Sequence, residues 1–157
     1  PAAVGIDELV ADVLRLSGPE ARQHAVDLVA GATAGLPPVR ADAIQIQQVL
    51  INLVRNAIEA MSAAGTAGRR IELSARAGPP GMVEIEVSDT GPGLPAGELE
   101  QVFAPFFTTK PDGIGIGLAL SRSIVDAHGG RLWASAGARG ARFHLTLPVD
   151  EETHAAA

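Results

Sequence analysis

Between Thr90 and Gly117 the chain carries so much glycine and proline that no regular element fits, and the rest of the sequence has to fold around that stretch. Proline removes a backbone donor and fixes φ, while glycine offers no side chain to pack. An irregular segment of this length inside a compact domain is a functional loop or a mobile one. One or two helical turns over Gly97 to Val102 are the only order expected within it.

The flanks read more regularly. Before the segment, Ile71, Leu73 and Ala75, then Val83, Ile85 and Val87, alternate with Glu72, Ser74, Glu84 and Glu86 about the break Gly78-Pro79-Pro80-Gly81, which predicts two strands of a hairpin-like unit. After it, Leu118, Ile124 and Val125 predict a helix ending at His128-Gly129, followed by strands at Arg131–Ala134 and Arg142–Leu147. Upstream, Ile6, Leu9, Val10, Val13 and Leu14 predict a short entry helix closed by Gly18-Pro19, and Val26 and Leu28 predict a strand within His24–Ala30. Asp42, with Gln45 three residues on, is the start expected of a long helix reaching about Ala63 before Gly65. Strands and helices mix without strict alternation. The fold class that follows is α+β, a two-layer sandwich with helices on one face of a mixed, mostly antiparallel sheet.

A chain of 157 residues, 46% hydrophobic and 19% charged, suits one soluble domain, assigned to residues 1–149 with a disordered tail over 150–157. The net charge of -6, without a Lys/Arg block, argues against a nucleic-acid partner. With no cysteine, disulfides and thiol chemistry are excluded, and a cytoplasmic location is expected. No apolar run approaches the ~20 residues that span a bilayer, so membrane contact is not expected of this domain, whatever its parent protein does.

Four segments carry candidate chemistry. On the helix from Asp42, Ile46, Leu50, Leu53, Ala57 and Met61 share one face, and Gln48, Asn52, Asn56 and Glu59 nearly the opposite one. That polar stripe is either a solvent face or a site; asparagine gains nothing on a solvent face, and the Asn56 oxygen suits Mg²⁺, a hard cation completed by waters and phosphates. Asp89-Thr90-Gly91-Pro92-Gly93 follows a strand end. It is either a plain turn or a carboxylate that accepts from an exocyclic amine, with Gly91 and Gly93 letting backbone approach a flat ring. Gly113, Gly115 and Gly117, ending in Leu118, open a helix whose free N–H groups suit phosphate oxygens. Between them Val102 to Lys110 holds three of the four Phe residues. Either these are core or they anchor a lid, the favoured reading, with Lys110 in reach of a terminal phosphate.

In that order, the helix Gln48–Met61, Asp89–Gly93, Phe103-Ala104-Pro105-Phe106-Phe107 and Gly113–Leu118 resemble the N, G1, F and G2 boxes of sensor histidine kinases. The resemblance covers Ile6 to Pro148. It implies a Bergerat ATP-binding fold with a flexible lid, shared with gyrase, HSP90 and MutL ATPases. It further implies that Asp89 reads the adenine amine, Asn56 holds Mg²⁺, Asn52 and Lys110 lie near the phosphates, and Gly115 and Gly117 shape the phosphate end. Phe106-Phe107-Thr108-Thr109-Lys110 and Ala127-His128-Gly129-Gly130 are similar to the oxygen- and nitrogen-sensing kinases.

Two departures from the family pattern matter. The related ATPases carry a glutamate where this chain has Asn52, an amide that cannot act as a base, so hydrolysis is not the expected reaction. Glu59 stands where many of the kinases have a basic residue. None of His24, His128, His144 and His154 is followed by Glu or Asp as an acceptor histidine of the family is, so the phosphoryl acceptor is expected on a dimerisation bundle N-terminal to Pro1 or on another chain. The function implied is transfer of the ATP γ-phosphoryl group to that histidine, with a response regulator as partner of the full-length protein. The rivals are an ATPase of the gyrase type, an anti-sigma-type serine kinase and a non-catalytic nucleotide sensor.

Overall fold

The computed structural model describes residues 1–104, 117–137 and 139–151. Its longest helix, α2, spans Ala43–Ala64. The Asp42 side chain accepts the Gln45 N–H at 3.1 Å, and Gly65 ends the helix in the left-handed conformation at φ 64°. The stripe Ile46, Leu50, Leu53, Ala57 and Met61 is buried, widened by Val49, Val54 and Ile58. On the other side Gln48 is exposed, whereas Asn52, Asn56 and Glu59 are only half-exposed, so that face is not a plain solvent face.

The main sheet has five strands in the order β2-β4-β5-β7-β6. These are β2 (Asp27–Ala30), β4 (Arg70–Ala77), β5 (Met82–Asp89), β6 (Arg131–Ala136) and β7 (Ala141–Pro148). Only β2 and β4 pair in parallel; the other neighbours are antiparallel. Period-2 alternation places Ile71, Leu73, Val83, Ile85, Val87, Leu132, Phe143, Leu145 and Leu147 on one face. There they form a single core with α2, α1 (Ile6–Gln23) and α3 (Gly117–Ala127). Each fully buried Leu or Ile contributes ~1.5–3 kcal/mol to holding the two layers together. The result is the expected α+β sandwich with a mixed, mostly antiparallel sheet.

The outer face of the sheet is polar, and at its centre Glu84, His144 and Thr146 are buried. Glu84 and His144 are buried because longer neighbours lie across them. Trp133 stacks on the His144 ring with centroids 5.0 Å apart and planes 11° off parallel, and the Arg131 guanidinium sits 4.9 Å from the Trp133 ring centre. His144 Nδ1 lies 3.2 Å from Glu84 and 3.5 Å from Glu86, and Arg76 pairs with Glu84.

Two local expectations need correction, and one strand pair is an addition. Helix α1 does not stop at Gly18-Pro19 but runs through Pro19 to Gln23. Tertiary contacts offset the bond that proline forfeits: Ser17 and Ala21 are buried on either side of it, and Glu20 pairs with Arg55 of α2 at 3.3 Å. Two short strands, β1 (Ala2–Val4) and β3 (Val39–Ala41), form a separate antiparallel pair that three-residue segments do not announce. Asp150, assigned by sequence to the loose tail, is buried, and its N–H donates to the Pro38 carbonyl at 2.9 Å.

Candidate nucleotide site

Asp89 closes β5 and is only 8% exposed. Its Oδ1 accepts two backbone N–H groups, from Gly91 at 2.8 Å and from Ala141, at the start of β7, at 3.3 Å. Burial pushes the carboxyl above the usual carboxylate range, and those two bonds counter it without cancelling it. One oxygen of this buried acid is thus held by the backbone of two separate segments.

Glycine is required around it by space as well as by conformation. A Cβ on Gly91 would lie 2.8 Å from Met61 Cγ, and one on Gly140 would lie 2.0 Å from the Asp89 carbonyl oxygen. Gly140 also holds φ +84°. Gly93, at φ +75°, is packed against the Gly140 carbonyl, so the loop after β5 and the β6–β7 turn approach backbone to backbone over Asp89. Thr90 fixes the third side: its hydroxyl accepts the Arg70 N–H at 2.9 Å and donates to the Gly68 carbonyl at 3.0 Å. A cleft of about 240 Å³ lined by Arg70, Glu72, Ser88 and Arg142 opens beside Thr90 on the outer face of the sheet, the side turned away from α2 and α3. A larger depression of about 660 Å³ lies away from the site, between the ends of α1 and α2, where Arg69 is engaged by Thr66, His24 and Ser62.

Asn52 faces α3. Its Nδ2 donates to Ser121 Oγ at 3.1 Å, and a Cβ on Gly117, the first residue of α3, would meet the Asn52 amide at 3.1 Å. Asn52 and Gly117 thus share one spot. Asn56 lies one turn further along α2 on the same side, and Leu118 packs on the core. Lys110, Gly113 and Gly115 lie outside the described residues, as do Phe106 and Phe107. Phe103 is buried core, edge-on to Phe143 with ring centres 6.1 Å apart, and Arg122 of α3 stacks 4.5 Å above it while pairing with Glu100. That pairing holds the Glu100 carboxyl below its ordinary range.

Sequence reasoning missed Ser121, Gly140, Ala141 and Arg122. Each acts through a neighbour distant in the chain, and only the Gly-rich turn before β7 offers a visible hint.

The donor set fits a magnesium nucleotide better than a bare metal. Among the described residues no group of three or more His, Asp or Glu side chains is placed to hold an ion, whereas an asparagine oxygen suits a hard cation whose shell is completed by waters and phosphates. The two-layer sandwich is the fold of an ATP-binding domain. Residues 41–151 match the HATPase_c model, described as histidine kinase-, DNA gyrase B- and HSP90-like ATPase, and the chain belongs to that family. It is 46% identical to the sensor protein FixL of Bradyrhizobium diazoefficiens over 143 residues, 90% of this chain but 28% of that protein. Its fold matches the catalytic domain of the histidine kinase ThkA at TM-score 0.83, with 33% identity and 97% of both chains covered. It likewise matches full-length ShkA in complex with AMPPNP at TM-score 0.83, with 30% identity, over 94% of this chain and 31% of that one.

Proposed function

We propose that this domain binds MgATP and donates its γ-phosphoryl group to a histidine on a dimerisation bundle outside residues 1–157, as the catalytic part of a two-component sensor histidine kinase. The observation that carries the reading is Asp89, buried at a strand end with one carboxylate oxygen locked by two N–H groups and glycine backbone packed around it. That arrangement suits an exocyclic amine donor, the group that distinguishes adenine from guanine at this edge. Phosphoryl transfer asks the protein chiefly for positioning and charge neutralisation. In this reading Asn56 offers its side-chain oxygen to Mg²⁺, which neutralises phosphate charge when bound. Asn52 and Gly117 border the phosphates, and Lys110, Gly113 and Gly115 complete that end.

Asn52 favours transfer over hydrolysis. An amide held by Ser121 cannot take a proton from water, so ATP is kept for an incoming imidazole. A response regulator is the expected downstream partner of the whole protein, which is proposed to work at the cytoplasmic side of its signalling pathway; no described helix is long and apolar enough to cross a membrane.

The test is to mix the chain with MgATP and a separately prepared acceptor bundle from a cognate kinase. Acid-labile phosphate should appear on the bundle, and Asn56→Ala should abolish it while circular dichroism stays native. Acid-stable phosphoserine on a partner, or brisk ATP turnover without a partner, would replace this reading with one of its rivals.

A further inference from the structure

His128 ends α3, and its ring has two partners that leave no choice of tautomer. The backbone N–H of Asp42 can only donate, so Nε2 accepts from it at 3.1 Å. The Ile124 carbonyl can only accept, so Nδ1 carries the proton and donates at 2.8 Å. Only the neutral ring with its proton on Nδ1 satisfies both.

Further contacts brace the joint so formed. Asp42 is itself the cap of α2, bonded to Gln45. Gly129 turns the chain at φ +78°, and a Cβ on Gly130 would lie 1.8 Å from the Thr146 carbonyl of β7. The Gly130 N–H returns to the Val125 carbonyl at 3.1 Å. Helices α2 and α3 therefore pack with opposite sense, tied at one end by Asp42 and His128 and nearer the site by Asn52 and Ser121.

We infer that His128 is a positioning residue for the nucleotide site. In its Nδ1–H tautomer it sets the axial register of α3 on α2, and through that register the seating of Gly117 and Ser121 against Asn52. The inference rests on reading that spot as the nucleotide site. It gives the His-Gly-Gly sequence a role in the fold rather than in accepting phosphate.

Two substitutions separate the two bonds. His128→Asn keeps a donor where Nδ1 stood, able to reach Ile124, and removes the acceptor at Nε2. His128→Gln reaches the Nε2 position and restores an acceptor for the Asp42 N–H. In calorimetric titration with MgATP, H128N is expected to bind about fivefold to tenfold more weakly than wild type, and H128Q within about twofold of it, in the range of coupling through packed helices. Equal affinity of the two variants, at any level, overturns the inference. Imidazole nitrogen-15 shifts of the wild-type protein give an independent reading that needs no variant to fold: a protonated Nδ1 and bare Nε2 are expected, and a protonated Nε2 overturns it. Wild-type protein that fails to bind MgATP while showing the Nδ1–H tautomer would count against the nucleotide reading, and the positioning role with it. The helix joint itself would stand.

Discussion

Burial raises the Asp89 carboxyl above its unfolded value, and the bonds from Gly91 and Ala141 recover only part of the loss. The sign follows from linkage. A raised folded-state pKa means that the contribution to stability is full below the unfolded pKa and is lost as pH rises through the folded one, so ionisation of this group opposes folding. Asp89→Asn keeps an oxygen for both N–H groups and removes the charge. The variant should melt at the same or a higher temperature than wild type, flatten the decline in stability with rising pH, and lose ATP affinity by about tenfold or more, since its amide would face a ligand amine donor to donor. Parallel thermal melts and calorimetric titrations check both halves. Ala25 gives the opposite lesson at the α1–β2 junction, where it alone among the described non-glycine residues takes positive φ, at 54°. Left-handed backbone costs a Cβ-bearing residue ~1–2 kcal/mol. Ala25→Gly should therefore stabilise the domain by roughly 0.5–1 kcal/mol in urea titration, net of the extra freedom glycine has when unfolded. Asp89 was legible in the sequence because its motif is contiguous, whereas Ser121 was not, because its meaning lies in Asn52 across 69 residues of chain.

Elements declared themselves in proportion to their length and their caps. Helix α2 shows a cap at each end and an unbroken apolar stripe, so its limits could be read within a residue or two. The end of α1 could not, because what carries it past Pro19 is contact with α2 and the core. The three-residue strands β1 and β3 are too short for alternation to register. The β6–β7 turn offered only its glycines as a hint, although it packs over Asp89. Gly140→Ala tests that closure: its new Cβ would meet the Asp89 carbonyl at 2.0 Å and Asp89 Oδ1 at 2.6 Å, on a backbone at φ +84°. Overpacking of this kind costs ~1–3 kcal/mol. The variant should lose about that much stability in urea titration and bind ATP more weakly than its stability loss alone explains, since the displaced atoms include the Asp89 carboxylate, to which the proposed function assigns the base.

At the scale of the molecule, the layering was visible from alternation and helical periodicity, but the burial of Glu84 and His144 at the centre of the outer sheet face was not. Alternating Glu84 and Glu86 with Val83, Ile85 and Val87 marks which side faces the helices; it does not say that Trp133 will lie over His144 and shut water out. Cross-strand neighbours settle that, and they depend on a register between β5, β7 and β6 that no local pattern carries. The position of that ring has an optical consequence. Trp133 is the chain's single tryptophan, and it sits on the side of the sheet turned away from α2 and α3. Its emission should thus follow unfolding faithfully and ignore nucleotide, giving a stability probe that can be read at saturating MgATP, whereas a spectral shift on titrating MgATP into the folded protein would place the ligand on the wrong face.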